Sequence, residues 1–136
     1  MDFLKSMTIA ASGLRAQAGR MRIIAENIAN ADSTSPSSGA DPYRRKIVTF
    51  RSEMDRAVDA QVVELGRVKT DPSDFRIKHE PGHPSADANG NVKYPNVNSL
   101  IEMTDLREAQ RSYEANINVI TASRRMIQRT IEILKS

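Results

Sequence analysis

Both ends of this chain carry apolar residues at helical spacing, and the stretch between them carries no comparable pattern. At the front, Phe3, Met7, Ala10, Leu14, Gln17, Met21, Ile24 and Ile28 recur at alternating steps of four and three, the spacing of a coiled-coil seam interrupted only at Gln17. At the back, the same steps join Leu106, Ala109, Tyr113, Asn116, Ile120, Ser123, Ile127, Thr130 and Leu134. The pattern predicts three segments: an N-terminal helix within residues 1–31, a middle of strands and loop over 32–98, and a C-terminal helix within 99–136.

Small or apolar residues flank the front seam: Leu4, Ala11, Ala18 and Ala25 on one side, Ile9, Ala16 and Ile23 on the other. Lys5, Arg15, Arg20, Arg22 and Glu26 leave only a narrow solvated strip, so this helix can bury more than one face. Such helices draw their stability from packing and are marginal alone. The terminal helices of a free subunit are therefore expected to be disordered or self-associating, and to order on assembly.

Asn30 in a left-handed conformation is expected to end the first helix, and the Ser-rich run through Gly39 to form a flexible loop. Residues 43–50 read as a strand, 52–60 as a short helix, and the runs around Val62 to Val68 and Phe75 to Ile77 as two further strands. Residues 80–98 read as irregular loop with a tight turn at Asn89-Gly90-Asn91. Ser99 and Glu102 have the spacing of a capping box opening the second helix, and Lys135 suits its C-terminal end.

Composition narrows the function. With 39% hydrophobic residues and no Trp, 136 residues make a thin core without room for a buried catalytic cavity. Lacking Cys, the chain has no thiolate chemistry and no disulfide. A net charge of +3, spread out apart from Arg44, Arg45, Lys46 and Arg51, does not predict a nucleic-acid surface, although a basic coiled coil using those residues with Arg124 and Arg125 is a competing reading. No apolar run is long enough to span a bilayer, the N-terminus lacks a secretory signal pattern, and the front stripe lacks the bulky side chains of a membrane-surface helix.

His79, His83 and Asp87 stand four apart, but Pro81, Gly82 and Pro84 forbid the helix that would align them, so no metal site is expected. Nor does the chain carry a phosphate-cradling glycine run or a nucleophile–base spacing; Ser12-Gly13 lacks the elbow context. The expectation is a non-enzyme without cofactor or small-molecule substrate. Gln17, Asn116 and Ser123 interrupt the seams, and they either face water beside a broad apolar face or fix the register between helices of different subunits.

Ser12-Gly13-Leu14-Arg15-Ala16-Gln17 followed by Ile24-Ala25-Glu26-Asn27-Ile28-Ala29-Asn30 resembles the N-terminal motif shared by bacterial flagellar rod, hook and related axial proteins. The run Pro81-Gly82-His83-Pro84-Ser85-Ala86-Asp87, then Val92-Lys93-Tyr94-Pro95-Asn96-Val97, Glu102 to Leu106 and Arg111-Ser112-Tyr113-Glu114-Ala115-Asn116 is similar to one proximal-rod member, with Asp74 and Asn91 as departures. Another axial subunit sharing the terminal motif is the alternative.

The resemblance implies a mainly α fold with a small β region, in which the terminal helices pair as an antiparallel coiled coil. It further implies a structural subunit of the proximal rod, located in the periplasmic part of the basal body and built into the drive shaft that transmits torque for motility. Its implied partners are further copies of itself in a helical assembly, other proximal and distal rod proteins, the rod-to-membrane-ring junction protein, and the type III export apparatus, which passes subunits without a cleaved signal. Candidate helix-pairing and interface residues are Met7, Leu14, Gln17, Met21, Ile24, Asn27, Ile28, Asn30, Tyr113, Asn116, Ile120, Ile127 and Leu134. Candidate middle-loop contacts are Tyr43, Pro81, His83, Pro84, Tyr94, Pro95 and Asn96.

Overall fold

The two stripes become two long helices. The computed structural model describes residues 2–136, with helix α1 at Phe3–Ala29 and helix α2 at Ser99–Lys135. Asp2 caps α1, its carboxylate accepting the Lys5 amide at 3.1 Å. Between the helices lie six short strands: β1 (Lys46–Ile47), β2 (Phe50–Asp55), β3 (Ala60–Leu65), β4 (Lys69–Thr70), β5 (Arg76–His79) and β6 (Asn91–Tyr94). They pair as three antiparallel two-stranded sheets, β1 with β4, β2 with β3 and β5 with β6. The protein is mainly helical with a small β region.

The chain divides into two compact units, and both helices contribute to each. The first unit comprises the chain up to Met21, the segment Thr49–Arg67, and α2 from Arg107 onward. Here the helices run antiparallel: Gly13 faces Asn116, so close that a methyl group on Gly13 would lie 2.7 Å from the Asn116 Nδ2, and Arg20 reaches Glu108 at 3.6 Å. In that register Phe3 lies level with about Met126, so the last turns of α2 extend past the start of α1.

The β2–β3 hairpin packs on another face of α1. Ser12 is buried, and its hydroxyl accepts the Val63 amide at 3.1 Å while donating to the Ile9 carbonyl at 2.6 Å. Ala16 is buried alongside, and a side chain at Gly19 would strike Leu65. Small residues recur along α1 because two partners approach it closely.

The hairpin replaces the short helix expected over residues 52–60. Its register, Phe50 opposite Leu65 through Asp55 opposite Ala60, alternates side chains with period two, and Arg51 clasps Glu64 across the strands at 2.7 Å. Asp59 at φ 51° turns the chain.

The second unit comprises Arg22–Val48 and Val68–Leu106. Its core holds Ile23, Ile24, Ala31, Val92, Tyr94 and Val97, all buried. Residues 91–94 form a strand, contrary to the irregular loop expected over residues 80–98, because β5 supplies the ladder partner that periodicity alone does not reveal. Gly90 at φ 79° makes the turn before it, as expected.

The Ser-rich run is held rather than flexible: Ser35 is buried, its carbonyl accepts the Ser85 hydroxyl, and the Ser38 hydroxyl donates to the Ala86 carbonyl. Nor does α1 end in a left-handed Asn30. Asn30 instead folds its side-chain amide back onto the Glu26 carbonyl at 2.9 Å, and no described non-glycine residue other than Asp59 has positive φ.

Candidate functional site

Two neighbouring polar clusters lie in the second unit, one at the end of α1 and one at the start of α2. In the second unit, Asn27 projects from the last turns of α1 and is 1% exposed. Its Oδ1 accepts the Tyr43 hydroxyl at 2.7 Å and the Lys46 amide at 3.0 Å, and its Nδ2 donates to the Lys46 carbonyl at 2.9 Å. The side-chain amide thus satisfies both peptide groups of Lys46, as a neighbouring strand would. Lys46 adds an ion pair to Glu26 at 2.5 Å. Burial, followed by the nearby charges of Glu26 and Glu102, pushes the Tyr43 phenol up to about 12.

Beside this lies a second buried group. Glu102 is 1% exposed and its Oε1 accepts from Arg45 Nε. Arg45 also reaches Asp71 at 3.3 Å. Burial works to lower the Arg45 pKa, but hydrogen bonds and charge from Glu102 and then Asp71 outweigh it and raise the pKa overall. Asp71 is held below the usual carboxylate range, first by the Ser73 backbone and side-chain hydrogen bonds and then by Arg45.

Asn96 completes the lattice. Its Oδ1 accepts the Arg45 amide at 2.7 Å, and its Nδ2 donates to the Asp71 carbonyl at 3.1 Å and to Ser73. The expected capping box is absent. Asn98 is the N-cap, accepting the Leu100 amide at 3.1 Å, because Glu102 is turned inward to Arg45 and cannot reach back to the helix start.

The other middle-segment candidates divide by burial. Tyr94 is buried and donates to the Glu80 carboxylate at 3.1 Å, while Lys78 and Arg76 lie over its ring at 4.7 and 5.8 Å. Its pKa is raised, by burial first and then by Glu80. Pro95 is fully buried, and its carbonyl takes Arg76 Nε at 3.1 Å. His83 accepts the Ser85 amide at 3.0 Å, with its ring edge-on to Tyr94. Pro81 and Pro84 are exposed. His79 pairs with Asn91 and Asp87 accepts two loop amides, and among the described residues no three His, Asp or Glu side chains converge on a metal position.

Of the seam candidates in the first unit, Met7, Leu14, Met21, Tyr113, Ile120 and Ile127 are half-buried. Of the polar interruptions, Ser123 is buried and Gln17 and Asn116 are half-buried. Asn116 bonds back to the Ser112 carbonyl at 3.0 Å against Gly13, and the Gln17 Oε1 is buried without a partner. In the second unit Ile24 is buried and Ile28 and Asn30 half-buried. Leu134 is 79% exposed, beyond the end of α1. Sequence reasoning did not assign the buried hydrogen-bonding roles of Ser12, Arg45, Asp71 and Glu102. The signal available for Ser12 and Asn27 was a small polar residue on a helix face otherwise apolar.

The chain is a protein of two long helices joined by short strands, and the longer helix carries exposed apolar residues, among them Ile131, Ile133 and Leu134. A family model described as flagella basal body rod protein matches residues 7–35, and a second, described as flagellar basal body rod FlgEFG protein C-terminal, matches residues 88–133.

The chain is 53% identical over 137 residues to the flagellar basal-body rod protein FlgC of Agrobacterium fabrum, covering 100% of this chain and 99% of that one. It is 38% identical to FlgC of Salmonella typhimurium, with 98% of each chain covered, and 35% identical to FlgC of Bacillus subtilis, with 99% of this chain and 100% of that one covered. The chain belongs to the FlgC family of flagellar basal-body rod proteins, and it is a structural rod subunit.

Proposed function

We propose that this subunit polymerises through its terminal helices into the proximal rod, the periplasmic part of the drive shaft, and that it acts there without enzymatic activity. The supporting observation is the outward apolar display of α2. Ile131, Ile133 and Leu134 lie past the level where α1 begins, and Leu134 is 79% exposed. Apolar surface of this kind on a long helix is covered by other chains, and contacts between unlike faces propagate into helical assemblies when the rotation does not close. The helical core would then be residues 1–31 and 99–136, with 32–98 as the segment that distinguishes this subunit from its neighbours.

In the first unit the pairing core is Leu14 and Met21 with Tyr113, Ile120 and Ile127, in the second Ile24 and Ile28 line the core, and Leu134 completes the seam against other subunits. Met7 joins the same side, and Gln17 and Asn116 set register. In the middle segment, exposed Pro81 and Pro84 are the residues placed to touch neighbours. Tyr43, Tyr94, Pro95 and Asn96 serve mainly to hold the unit that presents them. The partners are other proximal and distal rod proteins, the rod-to-membrane-ring junction protein and the type III export apparatus.

Replacing Ile131 and Leu134 together by Asp, in a bacterium lacking its own copy, is expected to abolish rod growth and swimming while leaving the tyrosine fluorescence of the second unit native. Full swimming with the double substitution would refute the proposal.

A further inference from the structure

The β2–β3 hairpin has one strand edge in use and one free. The Val63 amide points away from β2, because it donates to the Ser12 hydroxyl at 3.1 Å, whereas the Gly66 amide points toward the other strand and donates to the Thr49 carbonyl at 2.6 Å. Hydrogen-bonded and non-hydrogen-bonded pairs alternate along an antiparallel ladder. With Ser52 opposite Val63 and Phe50 opposite Leu65, the main-chain groups of Phe50, Ser52 and Met54 therefore point outward from β2. Among the described residues these outward groups have no main-chain partner, and every residue from Phe50 to Met54 is exposed.

An open edge of this kind accepts another strand, and the order of residues in β2 makes β2 its own complement. Two antiparallel copies centred on Ser52 bring outward groups against outward groups, with Phe50 opposite the partner's Met54 and Arg51 opposite the partner's Glu53. Opposite charges at such facing positions stabilise a sheet, and like charges destabilise it. The neighbouring registers fail on that ground. Centred on Arg51 the pair opposes two arginines, centred on Glu53 it opposes two glutamates, and centred on Met54 it sets Glu53 against Asp55.

We infer that two free copies of this chain pair edge to edge through β2, antiparallel and centred on Ser52, so that their hairpins join into one continuous sheet. Phe50, Met54 and Val63, exposed on one face of each hairpin, then line up as a single apolar row. On the other face Arg51 reaches its own Glu64 at 2.7 Å and its own Glu53 at 3.6 Å, one guanidinium shared between two carboxylates. The Glu64 contact holds the Glu53 carboxyl above its usual range. In the pair, Glu53 gains the partner's Arg51, whose Nη1 is not engaged by Glu64.

A single strand from each copy makes a contact well under the roughly 1,200 Å² of a standard interface, so the pair is weak and reversible. It covers an edge that would otherwise template aggregation. A two-fold contact cannot repeat along a shaft whose subunits all point one way, so the pair belongs to the free chain and separates on assembly. Only that last step rests on the reading that this chain polymerises into the rod; the pairing itself does not.

Backbone amide exchange of the ¹⁵N-labelled full chain, read by NMR at about 20 µM and about 1 mM, brackets a weak interface of this size. The amides of Phe50, Ser52 and Met54 should exchange at least about threefold more slowly at the higher concentration, while those of Val62 and Glu64, inside the hairpin ladder, are protected at both. E53R should abolish the difference at Phe50 and Met54. So should S52P, because the N–H it removes faces outward and the hairpin keeps its own ladder. An equal mixture of E53R and R51E should regain the protection, since each then meets the opposite charge. Equal exchange at both concentrations in the native chain would overturn a second copy as the occupant of this edge. Protection that survives S52P, or that disappears with I131D/L134D, would trace it to the helices and overturn the inference, as would a mixture no better protected than E53R alone.

Discussion

Asn27 is where a single side chain decides most in the second unit. Changing it to Ala removes three hydrogen bonds: to the Tyr43 hydroxyl, the Lys46 amide and the Lys46 carbonyl. At about 1 kcal/mol net for each bond, the loss is about 3 kcal/mol. Leaving part-buried peptide groups of Lys46 without partners adds to this, bringing the expected cost to about 3–5 kcal/mol. That is a large fraction of the roughly 5–15 kcal/mol that holds an ordinary domain together.

Tyr43→Phe isolates one of the three bonds and should cost about 1 kcal/mol. Urea unfolding of the full chain, followed by tyrosine fluorescence, measures both variants; Tyr43 and Tyr94 report on this unit, and Tyr94 alone does so in Tyr43→Phe. A midpoint shift with unchanged slope is expected. If Asn27→Ala costs under about 1 kcal/mol, or no more than Tyr43→Phe, the amide is not substituting for a strand and the reasoning fails.

Three further outcomes follow from the same geometry. Arg45→Leu leaves the Glu102 carboxylate buried without its counter-ion and should destabilise by about 3–5 kcal/mol, whereas Arg45→Leu with Glu102→Leu should recover most of that in the same urea assay. Raising the pH from about 10 to about 12 should destabilise the second unit, since the unfolded phenol loses its proton near 10 while folded Tyr43 keeps its own until about 12; Tyr43→Phe should lessen that slope in alkaline unfolding curves. Gly13→Ala and Asn116→Ala should couple by about 1 kcal/mol in a thermal double-mutant cycle, because the new methyl would crowd the Asn116 amide; strict additivity would count against the close helix crossing.

The helices were legible because their signal is local and repeated: eight seam positions in α1 agree on one face, and the same spacing persists through Ile127 in α2. The hairpin was not, although Phe50, Ser52 and Met54 alternate with Arg51, Glu53 and Asp55, because short mixed runs satisfy either period until a partner strand is present. Glu102 misled for a related reason. Its spacing from Ser99 fits a cap, and only the position of Arg45, far away in sequence, shows that the carboxylate turns inward.

By itself, then, the sequence determined two long helices, their apolar faces and, through its motifs, membership of the axial proteins. These properties are written in periodicity and residue type, which need no partner to be read. Tertiary structure alone decided which polar residues are structural. Nothing in the sequence names the partners of Ser12, Asn27 and Glu102, which come from β3, β1 and Arg45. A buried polar group is defined by who satisfies it, and here each partner comes from a distant part of the chain.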